Sequence, residues 1–342
     1  MNNSKRILWL DSAKGFAIVL VVLGHMVLGI NTAGMFPESR EWLEMLIRLI
    51  YSFHMPLFWT ISGYTFYLAY CRERKERFGR YKNQILNSIY IYFLFSTVQW
   101  VIQFILSGII NTKVSVSDLL LMPIRPMAPF WFTFVMIFYY VFFYAFELVK
   151  LPEGAKLVII ALLSMLGNPL DFDIVIPIRI LLLHMLYFYL GIYFAKRKSM
   201  VADSKIAMTV LLASSALFLV AEAVFDIPYI PLISDVLIPA AIGLCFFNLF
   251  YRFTTDKNSR QLSFLGRYSL EIYVTHCIIT AGCRVLLNKA GVQNCWVMVI
   301  VGTVIAVAVP VLWAFLLKKL KIRPFLRTNK AVFKKAEKLN VN

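Results

Sequence analysis

Charged residues are scarce in this sequence, and acidic residues are the scarcest of them. Only 15% of its 342 residues are charged, with 18 acidic residues against 35 basic ones. A soluble protein carries about 25% charged residues, because most of a globular surface needs polar cover. Here 60% of the residues are hydrophobic and the mean hydropathy is +0.73. The composition excludes a soluble enzyme, a disordered chain and a secreted disulfide scaffold, and it predicts a multi-span membrane protein.

Cysteines are also few, and none of them are paired in sequence as metal or redox ligands. The five cysteines are odd in number and form no Cys-x-x-Cys motif. Four of them lie within or at the edge of apolar runs, so we interpret them as small packing residues. We therefore predict no disulfide framework and no metal site. The cysteines are Cys71, Cys245, Cys277, Cys283 and Cys295.

About ten apolar runs are long enough to cross a bilayer as helices. The weakest is the fifth, because Gly167, Asn168 and Pro169 interrupt it. We predict an all-α, polytopic integral membrane helix bundle. Its expected spans are 13–31, 45–70, 84–109, 129–149, 156–170, 177–195, 205–224, 230–251, 267–287 and 295–317.

The basic residues fall mainly in alternate connections between these runs. Lysine and arginine are retained on the cytoplasmic side of a membrane, so this pattern predicts that both termini are cytoplasmic. The net charge of +17 is then a topological signal and not a nucleic-acid footprint. No linker or repeat divides the chain. We expect residues 1–342 to form a single transmembrane domain with a basic cytoplasmic tail from about residue 318.

The first span carries two polar residues on one face. Lys14 and His25 are eleven residues apart, which is three helical turns and about 17 Å. A cation at the cytoplasmic mouth with an imidazole deeper in the membrane suits an anionic ligand that reaches inward. The alternative is a lysine that extends to the interface and a histidine that a neighbouring helix satisfies.

The second span contains His54, followed by Trp59 and Ser62 three residues apart on one face. Gly63 permits the close approach of another helix. An interfacial tryptophan with serine–glycine packing is the alternative interpretation.

The ninth span carries one polar stripe in an apolar helix. Ser269, Tyr273, His276 and Thr280 recur at helical spacing. A lipid-facing helix would not carry such a stripe, so it is expected to line the bundle interior or a cavity. A purely structural hydrogen-bonded stripe is equally open.

Four segments in order resemble the membrane-bound acyltransferase 3 family. Residues 11–25 (DSAKGFAIVLVVLGH) resemble its first-helix signature, in which a basic residue, ten intervening residues and a histidine follow one another. Residues 53–64 (FHMPLFWTISGY), 130–132 (FWF) and 266–276 (GRYSLEIYVTH) are similar to its later motifs. The amino-acid sequences of the first two segments are most similar to those of the fucose 4-O-acetylase-like branch. The start of the third helix departs from the family, because residues 80–90 lack a proline.

This resemblance implies transfer of an acyl group, usually acetyl from acetyl-CoA, to a hydroxyl of a cell-surface or lipid-linked carbohydrate. It assigns His25 as the general base, or as the carrier of an acyl-histidine intermediate, because imidazole has a suitable pKa. Lys14, Ser62 and His276 are the other expected catalytic residues. The acyl group itself, acetyl or succinyl, stays open.

The remaining expected site residues belong to the binding of donor and acceptor. Lys14 and three arginines are expected to hold the phosphates of CoA: Arg72, Arg74 and Arg80. Six residues are expected to bind substrate: Asp11, His54, Trp59, Trp131, Ser269 and Tyr273.

The resemblance also implies the partners and the compartment. The expected partners are acyl-CoA, a glycan or lipid-linked saccharide, and the lipid bilayer, without nucleic acid. The expected location is the plasma membrane, as the cytoplasmic membrane of a bacterium. The alternative is a transporter or flippase for a lipid-linked sugar, which usually shows internal repeats that this sequence lacks.

Overall fold

The computed structural model describes residues 7–72, 74–107, 114–167, 176–197, 237–255 and 257–320. Every regular element in these ranges is helical, and none is a strand. The predicted seventh span, the start of the eighth and the basic tail after residue 320 lie outside the described residues.

The helices follow the predicted spans closely, with two short helices in addition. A 3₁₀ turn (Pro37–Ser39) precedes the second helix, and a π-helical turn (Tyr67–Cys71) continues it. The helices are α1 (Leu8–Thr32), α2 (Arg40–Phe66), α3 (Arg74–Ile105), α4 (Val116–Leu120), α5 (Trp131–Phe146), α6 (Glu153–Leu166), α7 (Ile176–Leu183), α8 (Met185–Arg197), α9 (Ile238–Phe253), α10 (Arg260–Arg267), α11 (Ser269–Lys289) and α12 (Cys295–Lys319).

Five helical segments are long and apolar enough to cross a bilayer, and two shorter helices, α5 and α9, are also largely apolar. These segments confirm the predicted all-α membrane helix bundle. The count of about ten spans and the cytoplasmic position of both termini stay predictions. The five segments are Leu8–Thr32, Phe78–Ile105, Ile178–Lys196, Ser269–Lys289 and Cys295–Lys319.

Helix α1 lies at the centre of the described bundle. It packs against α2, α9, α10, α11 and α12. Its side chains are buried on several faces, and Ala13, Ala17, Ile18, Val22 and Met26 have no exposed surface. A helix that buries side chains on several faces lies in the interior of a bundle. The Lys14–His25 stripe therefore faces protein.

A glycine crossing fixes α10 against the first turns of α1. A β-carbon on Gly15 would collide with the carbonyl oxygen of Leu262, and one on Gly266 would collide with the carbonyl oxygen of Asp11. Small residues allow this backbone contact, which is the main source of close packing between helices in lipid. Because α11 begins three residues after Gly266, the crossing also aligns α11 with α1.

A second glycine crossing joins α2 to α8. A β-carbon on Gly63 would collide with the carbonyl oxygen of Phe188, and one on Gly191 would collide with that of Thr60. The close helix approach predicted at Gly63 is confirmed. This crossing holds α2, which carries His54 and Trp59, against the aromatic side of the bundle.

Candidate active site

Two histidines from distant parts of the sequence meet inside the bundle. The ring of His25 on α1 lies 4.9 Å from the ring of His276 on α11, measured between centroids. His276 is fully buried and His25 is half-buried. The structure thus brings together two of the predicted catalytic residues, with the more accessible one on the central helix.

The hydrogen bonding of His276 defines which ring nitrogen carries the hydrogen. Its Nδ1 lies 2.6 Å from the carbonyl oxygen of Tyr273. A carbonyl only accepts, so Nδ1 carries the hydrogen, and the Nε2 of the neutral ring keeps a lone pair. That Nε2 lies 3.4 Å from the Sγ of Cys277. The His276 ring is therefore held in one position, with Nε2 as the nitrogen that can accept a proton.

A tyrosine and a third histidine extend the pair along α2. His54 is buried, and its Nδ1 donates to the carbonyl oxygen of Ile50 over 2.6 Å. The ring of Tyr51 lies 4.8 Å from that of His54 and 6.4 Å from that of His25. The Tyr51 hydroxyl is buried and has no hydrogen-bond partner among the described residues. The sequence prediction missed Tyr51, although its position one turn before His54 was the available signal.

Tyr273 ties α11 to the segment before α5. Its hydroxyl donates to the carbonyl oxygen of Pro129 over 3.0 Å and accepts from the Thr133 hydroxyl over 3.2 Å. Its ring packs edge-on against Phe130, 6.0 Å away. These contacts also hold the Tyr273 carbonyl that orients His276.

The predicted tryptophans lie together around His184. Trp59 is fully buried, with its ring 5.7 Å from that of His184 and 4.3 Å from that of Phe132. Trp131 is half-buried, and its ring lies 5.3 Å from the same histidine. The Nε1 of Trp59 and the Nδ1 of His184 have no hydrogen-bond partner within the described residues. Trp131 is therefore the more accessible of the two rings.

The two predicted site serines are half-buried and lie away from the histidine pair. Ser62 is eight residues beyond His54 on α2, and Ser269 is seven residues before His276 on α11. Both separations are about two helical turns, or roughly 11 Å. The structure does not bring either serine to the His25–His276 pair.

The predicted donor-binding residues lie at one end of the bundle. The start of α1 packs beside the end of α2, because the ring of Trp9 lies 5.2 Å from that of Tyr64. Lys14 is half-buried there, and Arg72 is exposed. Arg80 is also exposed, on the first turns of α3. Asp11 contributes its backbone to the α1–α10 crossing, and the side chain of Arg74 lies outside the described residues.

Three possible metal ligands converge at the histidine pair. One ligand atom from each of His25, His276 and Cys277 lies within 4.8 Å of the others. Nitrogen and thiolate sulfur are the donors that zinc prefers. The chemistry of these donors thus fits a soft metal ion, which the sequence did not predict. All five cysteines are free thiols, and Cys277 is the only one of them that is not fully buried.

The sequence prediction also missed Arg284 on α11. It is half-buried in an apolar helix, and its guanidinium lies against Gly29 of α1, one turn beyond His25. A charged residue inside a predicted span was the signal available in the sequence.

The site thus combines a central apolar helix, an imidazole in its interior, a basic end and a second histidine beside the first. Residues 7–318 match the model of the acyltransferase 3 family, which is described as an acyltransferase domain. The match covers nearly the whole chain, so the protein belongs to this family, and its long apolar helices make it a membrane protein.

Two curated proteins are similar to part of the chain. Over 61 residues it is 43% identical to nodulation protein NolL of Mesorhizobium japonicum, and over 57 residues it is 47% identical to nodulation protein NolL of Sinorhizobium fredii. The aligned segments cover 18% and 16% of this chain, and only 16% and 14% of those two proteins. No solved structure matches the chain. The likeness to the fucose 4-O-acetylase-like branch stays a prediction.

Proposed function

We propose that the protein transfers an acyl group from acyl-CoA to a hydroxyl of a cell-surface or lipid-linked carbohydrate, with His25 as the general base. The observation that carries this proposal is the contact between His25 and His276 in the interior of an acyltransferase family member. A sugar hydroxyl is a poor nucleophile and needs a base, and histidine is the side chain most often used for that purpose.

The donor enters from the end of the bundle that carries Lys14, Arg72 and Arg80. The nucleotide phosphates of CoA pair with these cations, because phosphate oxygens bind ammonium and guanidinium groups strongly. From Lys14 the acyl end of the thioester has to reach about 17 Å along α1 to meet His25. The thin pantetheine arm suits such a route.

The chemical step is a direct transfer. A nitrogen of His25 takes the proton from the acceptor hydroxyl, and the hydroxyl oxygen forms a bond to the thioester carbonyl carbon. The bond from carbon to sulfur breaks, and the CoA thiolate leaves and takes the proton back from His25. His276 keeps a lone pair on Nε2, which lies 3.4 Å from the Sγ of Cys277, and the Tyr273 carbonyl holds its ring next to that of His25. The apolar surroundings exclude water, which would otherwise hydrolyse the thioester.

The acceptor binds on the α2 and α5 side of the histidine pair. Tyr51 offers a buried hydroxyl without a partner among the described residues, and His54, whose Nδ1 donates to Ile50, keeps a lone pair on Nε2. Trp131 offers a half-buried ring for a sugar face. Trp59 is enclosed by aromatic neighbours, so we assign it to the shape of the pocket wall. The two NolL relatives come from bacteria, which supports a bacterial cytoplasmic membrane as the location.

The test is the acyl transfer activity of His25→Ala. The purified protein in detergent is incubated with radiolabelled acetyl-CoA and surface glycan, and covalent label on the glycan is counted. We expect the wild type to transfer label and the variant to lose transfer while keeping its size-exclusion profile and melting temperature. Ser12→Ala, on the same helix, is the matched control, because the Ser12 hydroxyl bonds only to the Leu8 carbonyl oxygen.

Two results would contradict the proposal. Full activity of His25→Ala would remove the assigned base. A wild type that moves a lipid-linked sugar across a membrane without labelling it would favour the transporter instead.

A further inference from the structure

Arg284 is a cation turned toward the inside of the bundle. It lies within the apolar helix Ser269–Lys289, and its side chain is half-buried. A β-carbon on Gly29 would lie 2.8 Å from its Nη2 and would collide with its Nη1. The guanidinium therefore rests on the backbone of the central helix α1, at a place that only glycine leaves open.

This guanidinium has no hydrogen bond or ion pair with any residue that the structure describes. Among the described residues, the titratable groups within its electrostatic range are His25, Cys277 and Cys283, and none of these is a carboxylate. An arginine in an apolar region is costly unless it is paired, so such a residue marks a binding site by default. A side chain that only reached for the membrane surface would turn away from α1.

Arg284 lies on the side of His25 that faces away from Lys14 and from the proposed donor site. Gly29 is one turn beyond His25 on α1, so the guanidinium lies about 6 Å further along the helix than the imidazole. Lys14 lies on the opposite side of His25. Beyond Gly29, the end of α1 borders a pocket of about 480 Å³, lined among others by Ile30, Asn31 and Phe36. A ligand that enters from this end meets Arg284 before it meets the histidines.

We propose that Arg284 binds an oxyanion of the acceptor and thereby holds the acceptor hydroxyl at His25. The oxyanion is a phosphate of a lipid carrier or a carboxylate of an acidic sugar, since a guanidinium binds both through paired N–H groups. The inference rests on the proposed function, because it places the donor at the Lys14 end and the acceptor at the other. It restricts the acceptors to anionic ones.

The first test measures binding without catalysis. Native mass spectrometry of the protein in nanodiscs compares polyprenyl diphosphate with the uncharged polyprenol, and a glucuronate oligosaccharide with its neutral glucose equivalent. We expect one charged probe to bind on the order of tenfold more tightly than its neutral partner, which identifies the source of the oxyanion. Arg284→Gln should abolish this difference, and Arg284→Lys should keep part of it.

Two matched variants separate this role from a general charge effect. Lys289→Gln removes an exposed cation five residues further along the same helix and should bind like the wild type. Gly29→Ala should displace the guanidinium and reproduce the loss seen in Arg284→Gln. Gly282→Ala adds a methyl group where no atom lies within 4 Å, and it should leave the preference for the charged probe unchanged.

The failure of this inference is distinguishable from the failure of the proposed function. His25→Ala should lose acyl transfer but keep the preference for the charged probe, because that preference needs only Arg284. Equal binding of charged and neutral probes by the wild type would overturn the inference and leave the acyl transfer proposal standing. Loss of acetyl-CoA binding in Arg284→Gln would also overturn it, since Arg284 would then serve the donor.

Discussion

The rings of His25 and His276 lie 4.9 Å apart. They are brought together because α10 crosses α1 at two glycines, about one turn before α11, the helix of His276, begins. Gly15 and Gly266 allow α10 to touch α1, and α11 then runs along α1 to carry His276 to His25. The contact places a lone pair, on Nε2 of His276, beside the proposed base. A proton taken up by His25 thus has a second acceptor close by.

We expect His276→Ala to lower kcat by about 10²-fold, the lower range for a positioned acid–base group. The KM for acyl-CoA should change little, because His276 is far from the basic end. Steady-state kinetics of acetyl transfer, with both substrates varied, measures the two constants separately. Thr280→Ala is the control, since it removes a buried hydroxyl one turn further on that bonds within its own helix. An unchanged kcat in His276→Ala would leave His276 with a structural role alone.

Lys14→Gln should raise the KM for acyl-CoA by about tenfold, because one charge-assisted bond to phosphate is lost. The KM for the acceptor should stay near the wild-type value. Lys14→Arg keeps the charge and should keep most of the affinity. Titration of acyl-CoA at saturating acceptor gives the donor constant. A variant whose acceptor affinity falls instead would place CoA elsewhere.

The control for Lys14 is Lys318→Gln, which removes an exposed cation from the last turn of α12. It should leave the KM for acyl-CoA unchanged. Equal effects of both substitutions would indicate a loss of general positive charge and not of a phosphate contact.

Hydropathy and spacing predicted most of the described helices in their order, but not the residues at which each helix begins and ends. The third span was expected from residue 84, whereas α3 begins at Arg74. Polar residues continue a helix beyond the membrane without lowering its stability, so the apolar run marks the span and not the helix. The sixth span, expected over 177–195, is confirmed as the segment Ile178–Lys196, and only a one-residue turn at His184 separates α7 from α8 within it.

Within the site, the residues on each helix were predictable, and their partners across helices were not. Periodicity places Lys14 and His25 on one face of α1, and the structure shows that this helix is central. Periodicity cannot show that His276 and Cys277 lie near His25, because that depends on the crossing of α1 and α10. Arg284 was missing from the predicted site residues for the same reason. Its contact with Gly29 exists only in three dimensions.

We predict that zinc inhibits acyl transfer and that magnesium does not. Zinc binds nitrogen and sulfur donors, and it would use the His25 lone pair that the proposed base needs. The ligand atoms of His25, His276 and Cys277 lie within 4.8 Å of one another. Activity is measured against zinc concentration, and a chelator should restore it.

Cys277→Ala removes one of these three ligands and should raise the half-inhibitory zinc concentration on the order of tenfold. Cys245→Ala, on α9, is the matched control and should keep the sensitivity of the wild type, because Cys245 is buried and is not one of the three converging ligands. Zinc inhibition that is identical in both variants would show that the metal acts at another site.

Gly266→Ala should destabilise the protein and lower its activity together. The added methyl group would collide with the Asp11 carbonyl oxygen, so α10 has to move away from α1. Overpacking of this kind costs about 1–3 kcal/mol. The displacement would also carry His276 away from His25, because α11 follows α10 directly. Thermal unfolding in detergent and acetyl transfer are measured on the same preparation.

Gly282→Ala, which adds a methyl group without a neighbour, should unfold at or above the wild-type temperature, since alanine favours the helix. If Gly266→Ala were as stable and active as Gly282→Ala, the glycine crossing would not be what holds the two histidines together.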